Sequence, residues 1–167
     1  MTPGNDMKQC ELMQLSDLLA AGGIELNLKS GTRDEVLREL AGLVPGLTDD
    51  SRSLLWKALL DREVLCSTGI GDGMALPHAR NPQSNLIPQP AIIFGRHATG
   101  IDYQAVDHAP VRLFFLLTAT NVSQHLFILA RISRMLRRPG LRQLLLTADT
   151  PAQVMEGLRT VEATAAG

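Results

Sequence analysis

Apolar positions along the chain follow two spacings, and each predicts its own kind of element. The three-to-four residue spacing of Val36, Leu37, Leu40, Leu43 and Val44 predicts a helix. Thr32 followed by Glu35 is a capping-box start for it, and Pro45-Gly46 is its stop. Thr48 opens a second helix with Asp49 and Asp50 in the first turn, where the helix dipole favours acids. Its apolar stripe is Leu55, Ala58 and Leu59. Three residues further the stripe reaches Arg62, a cation that needs a partner if that side is buried. A long helix is expected over Asn121–Arg138, ended by Pro139-Gly140, and shorter ones over Leu141–Leu146 and Pro151–Leu158. Leu15–Leu19 reads as one more short helix, capped near Ser16.

Alternation predicts strands. "IELNL", Ile24–Leu28, alternates apolar and polar, as a half-exposed strand does. Met74–Leu76 and Ala91–Phe94 read as short strands. "VRLFFLLT", Val111–Thr118, is nearly continuous apolar sequence, the profile of a strand covered on both faces. The main elements therefore run β-α-α-β-β-β-α-α-α. Helices before and after a mostly buried sheet predict an α/β fold with three layers, α/β/α, around a mixed sheet. Residues 1–14 read as a flexible tail, 15–162 as the folded domain and 163–167 as a frayed end.

Length and charge narrow the function. A chain of 167 residues suits one domain with a real core. Its net charge of −1 argues against a dedicated nucleic-acid binder. The arginines from Arg131 to Arg142 read as a solvated helix face. Cys10 and Cys66 form neither a disulfide framework nor a metal-ligand pattern. Neither a signal peptide nor a membrane span is expected, so the expectation is a soluble, cytoplasmic protein without direct membrane insertion.

The densest punctuation is "STGIGDGMALPHAR", Ser67–Arg80, with Gly69, Gly71 and Gly73 at alternate positions. A nucleotide loop would need Lys followed by Ser or Thr after its last glycine, or a helix running straight on. Pro77 rules out that helix and no such lysine is present. A tight turn explains the glycines and Asp72, but not the "PHAR" that follows. A third reading makes His78 the point of the segment. Proline restricts the backbone on both sides of itself and gives the next side chain a defined direction. A neutral imidazole has a ring lone pair near pH 7 and can attack phosphorus.

The longer run "DREVLCSTGIGDGMALPHAR" resembles the signature of the fructose- and mannitol-type enzyme IIA domains of the sugar phosphotransferase system, among them the stand-alone nitrogen-regulatory type. "GIDYQAVDHAPVRLFFLL" and "SQHLFILARISRML" resemble that family's later segments, so the likeness spans about Leu15 to Leu158. It implies that His78 is the histidine that receives a phosphoryl group from an HPr-like phosphocarrier. It implies that His125, in the first turns of its helix, lies beside His78 and donates to the phosphoryl oxygens, and that Arg62 pairs with them. Ser67 and Thr68 would offer hydroxyls, and Gly69, Gly71 and Gly73 backbone N–H groups.

The onward partner would be a IIB domain cysteine in sugar transport, or a regulatory target protein. No fused transport segment is evident, which tilts the expectation toward regulation of nitrogen or carbon metabolism; a regulatory binding module that is never phosphorylated is the competing reading. No metal, nucleotide or other cofactor is implied. Ala79-Arg80 and Cys66 depart from the commoner Gly-Lys and Gly of the family, and His97 and His108 read as surface residues.

Overall fold

The computed structural model describes residues 3–165. The elements in chain order are α1 (Pro3–Glu11), α2 (Leu15–Gly22), β1 (Gly23–Glu25), α3 (Arg33–Leu43), α4 (Asp49–Leu65), β2 (Gly69–Gly71), β3 (Met74–Ala75), β4 (Ala91–Ile101), β5 (Val111–Thr118), α5 (Val122–Met135), α6 (Leu141–Thr147) and α7 (Pro151–Ala165).

The strands form one mixed sheet in the order β1-β4-β5-β3-β2. β1 runs parallel to β4 and β3 parallel to β5, while β4–β5 and β2–β3 are antiparallel. Alternate residues of β5 enter different cores, as the period of two demands. Leu113, Phe115 and Leu117 pack with α2, α5, α6 and α7. Phe114 and Leu116 pack with α3 and α4 on the other face. The three-layer α/β/α arrangement and the mixed sheet agree with the sequence reading.

Local signals account for several helix starts. Thr32 caps α3 by accepting the Glu35 N–H, and the Glu35 carboxylate accepts the Gly31 N–H. Thr48 caps α4 in the same manner. Asn121 caps α5 by accepting the Gln124 N–H at 2.9 Å.

Elsewhere the structure corrects the reading. Most of the expected tail is α1, which packs along α5 and buries Cys10. Met1 and Thr2 of that tail lie outside the described residues. Ser16 does not cap α2. The Glu162 carboxylate of α7 does, accepting the Leu15 and Ser16 N–H groups and the Ser16 hydroxyl at 2.6 Å. α7 likewise reaches Ala165, into the expected frayed end, of which Ala166 and Gly167 lie outside the described residues. β1 covers only Gly23–Glu25, β2 was not foreseen as a strand, and β4 extends well past Phe94. Among the described residues, no helix is long and apolar enough to cross a membrane.

Candidate functional site

Pro77 and His78 leave the sheet at the C-terminal end of β5. The Pro77 carbonyl accepts the Leu117 N–H at 3.1 Å, which ties this turn to the strand end. Three residues separate β5 from α5, so the first turns of α5 return beside the same edge. The His78 and His125 ring centroids are 5.4 Å apart, with the rings tilted at 58°. His78 is half-buried and His125 is buried.

The Nδ1 atom of His78 lies 2.7 Å from the Leu76 carbonyl oxygen. A carbonyl can only accept, so Nδ1 carries the proton and the lone pair of the neutral ring resides on Nε2. Burial pushes the His78 imidazole below its ordinary pKa, and the nearby positive charge of Arg62 adds to this. The Leu76 hydrogen bond works in the opposite direction. Burial also lowers the pKa of His125, as does the neighbouring His78. Both rings are therefore neutral at pH 7.

Arg62 sits in the last turn of α4 and donates through Nη1 to the Cys66 carbonyl at 2.7 Å. It closes the helix end and stays near enough to His78 to act on its charge. It is half-buried, so the continued stripe of α4 does not end on it. The buried residue of that turn is Glu63, four residues after Leu59, and sequence reasoning passed over it. Its signal was the four-residue spacing Leu55, Leu59, Glu63.

Ser67 and Thr68 are committed within the protein. Ser67 donates to the Tyr103 carbonyl and accepts the Gly69 N–H, both at 3.1 Å. Thr68 is buried, and both its N–H and its hydroxyl donate to Glu63. Neither hydroxyl is free for a ligand.

The glycines also do other work. A Cβ on Gly69 would come within 2.7 Å of the Ala105 side chain, so Gly69 permits a close crossing. Gly73 has φ of +75° and turns the chain at the β2–β3 tip. Its carbonyl accepts the Arg112 and Leu113 N–H groups at the start of β5, whereas Pro77 binds at Leu117. The two points are about 15 Å apart at the rise of an extended strand. Gly71 and Gly73 thus lie away from His78, and the expectation that their N–H groups serve it is corrected.

Cys66 is exposed at the site's edge, with its carbonyl holding Arg62. Ala79 is buried and Arg80 exposed. The described residues contain no group of three or more His, Cys, Asp and Glu side chains that could hold a metal ion.

Residues 17–160 match the family model of the phosphoenolpyruvate-dependent sugar phosphotransferase system, EIIA 2. The chain belongs to this family. It is 34% identical over 156 residues to a nitrogen regulatory protein of Bradyrhizobium diazoefficiens, covering 92% of this chain and 100% of the relative. It is 35% identical over 148 residues to the fructose-specific EIIABC component of Bacillus subtilis, covering 86% of this chain but only 23% of that larger protein. Among solved structures, the nitrogen regulatory protein IIA-Ntr of Neisseria meningitidis superposes with a TM-score of 0.71 at 26% identity, covering 90% of this chain and 99% of that one. The mannitol enzyme IIA of Escherichia coli, solved in complex with phosphorylated enzyme IIB, shares the fold, with a TM-score of 0.72 at 21% identity over 84% of this chain and 96% of the other. The chain is thus a phosphotransferase component of the enzyme IIA type, a phosphocarrier whose relatives bear both sugar-specific and nitrogen-regulatory names.

Proposed function

We propose that His78 is the phosphoryl acceptor, with Nε2 as the attacking atom. The observation that carries this is the Nδ1–H bond to the Leu76 carbonyl, which leaves Nε2 with the lone pair. In the step, a phosphohistidine of an HPr-like partner presents its phosphoryl group in line. A bond forms from His78 Nε2 to phosphorus as the donor's nitrogen–phosphorus bond breaks, and the donor nitrogen keeps that electron pair. The His78 ring retains its Nδ1 proton and becomes an imidazolium steadied by the Leu76 carbonyl. The neutral His125 ring donates one N–H to the transferring oxygens, Arg62 supplies positive charge, and the N-terminus of α5 favours the anion.

Exposed apolar side chains support a protein as donor. Val64 and Leu65 lie on the helix end that carries Arg62, and Val122 and Leu126 flank His125. A docked partner would cover them and exclude water from the transfer. The onward acceptor is the cysteine of a IIB domain or a regulatory target, and the relay works in the cytoplasm, where such partners are found.

The test is incubation with enzyme I, an HPr-like protein and phosphoenolpyruvate, followed by mass analysis for an acid-labile phosphoryl group. Wild type gains the group and His78→Ala does not. Label on His78→Ala would overturn the assignment, and an unlabelled wild type would leave the binding-module reading. Onward transfer to a B-domain cysteine would mark transport, and its absence regulation.

A further inference from the structure

Glu63 is among the most buried charged residues described, at 3% exposure, and the transfer chemistry above does not use it. Its carboxylate accepts the Tyr103 hydroxyl at 2.7 Å, the Thr68 N–H at 3.1 Å and the Thr68 hydroxyl. A buried ion with this many donors is well satisfied, and removing it leaves those donors unpaired. Tyr103 is itself fully buried, and burial with the adjacent Glu63 charge pushes its phenol well above the ordinary range. The Tyr103 hydroxyl therefore stays protonated and keeps donating.

From Thr68 the contacts lead to the histidine. The Thr68 carbonyl accepts the Leu76 N–H at 3.0 Å. The Leu76 carbonyl accepts Nδ1–H of His78 at 2.7 Å. These links pass through different peptide groups, so what they transmit is position and not electron density. Glu63 fixes Thr68, Thr68 fixes the Leu76 backbone, and that carbonyl selects the His78 tautomer. Nothing between Thr68 and His78 is a long side chain, so little slack enters the series.

We propose that Glu63 is a positioning residue for phosphoryl transfer, holding the Leu76 carbonyl where it keeps the proton on Nδ1 and the lone pair on Nε2 of His78. The proposal rests on His78 being the acceptor. It joins the two adjacent residues of one helix turn in one site. Arg62 works at the outer edge, and Glu63 braces the opposite side of the same mount.

The test uses Glu63→Gln, which keeps the shape and removes the charge. The tautomer of His78 is read from imidazole nitrogen NMR in the unphosphorylated protein, and transfer from the phosphorylated HPr-like donor in single turnovers. The expected result is a folded protein in which the Nδ1–H form is depleted and transfer slows by about tenfold or more, since small misplacements of a reacting group are expensive. Affinity for the donor should stay within about two-fold, because the docking surface is untouched.

A folded Glu63→Gln protein with wild-type tautomer overturns the proposal, whether or not its rate changes. If that variant does not fold, Tyr103→Phe removes one donor from Glu63 and is expected to act in the same direction, slowing transfer about threefold. A wild-type tautomer in Tyr103→Phe would then overturn it, whatever its rate. Should His78→Ala still accept phosphoryl, the acceptor assignment fails, while the NMR measurement still judges the Glu63 linkage by itself.

Discussion

The two ends of the short β2–β3 unit are built from the same quoted stretch and behave oppositely. At the tip, Asp72 and Gly73 both take positive φ, and Asp72 donates its N–H to the Asp107 carboxylate. There the chain reverses, and the conformation itself is the purpose. At the other end Gly69 serves only a close crossing with Ala105, and no glycine holds the histidine. Proline, a carbonyl and a neighbouring helix hold one imidazole in one tautomer. Glycine density marks where the backbone must bend, and the proposed acceptor sits where hydrogen bonds fix the backbone.

Substitutions should separate the two ends. The largest effect after His78 itself is expected at His125. His125→Ala should slow phosphoryl transfer about 100-fold, as loss of one transition-state donor does. Single-turnover kinetics at saturating donor would check this. Arg62→Lys keeps the charge but loses the planar fork, and transfer should slow about tenfold, with a smaller change in donor affinity.

Acidity should act next. If His78 is the acceptor, its neutral form is the one that reacts, and its lowered pKa keeps it neutral until the pH falls below the ordinary histidine value. The transfer rate constant should stay level from about pH 8 to about pH 6.5 and decline only below that. Stability should follow the same window. The unfolded chain binds protons at His78 and His125 first, so the folded state loses stability as the pH drops through the ordinary value.

The smallest effect on transfer is expected at the tip. Gly73→Ala forces a side chain into positive φ and should cost about 1–2 kcal/mol in a urea titration. The transfer rate per folded molecule should stay at wild type. A tip variant that slowed the chemistry as much as His125→Ala would erase the distinction between the two ends.

Much of this was legible in the sequence because it is local. Thr32 and Thr48 announce their helices within three residues, and the continuous apolar run Val111–Thr118 announces a strand between two cores. Pro77-His78 was legible because proline constrains its neighbours directly. What escaped depends on distant partners. Ser16 looks like a cap, but the cap is Glu162, 146 residues away. The polar segment Pro3–Glu11 has little apolar pattern and gains its helix by packing on α5. Glu63 escaped because a carboxylate on an apolar stripe reads as a surface residue until Thr68 and Tyr103 are placed around it. The roles foreseen for Ser67, Thr68, Gly71 and Gly73 came from nearness in sequence, and a hairpin carries such neighbours to different places.

The Glu162 contact also bears on how the unit can be used. It brings the first residues of α2 and the last turns of α7 together, so the matched region from 17 to 160 starts and stops at one spot. That spot adjoins Arg131 and Arg134 in the later turns of α5 and Arg138 just beyond it, whereas His125 occupies the first turns of α5. A domain wired this way is a plug. Splicing it into a longer polypeptide, or permuting it circularly at that one socket, should leave the His78 end undisturbed.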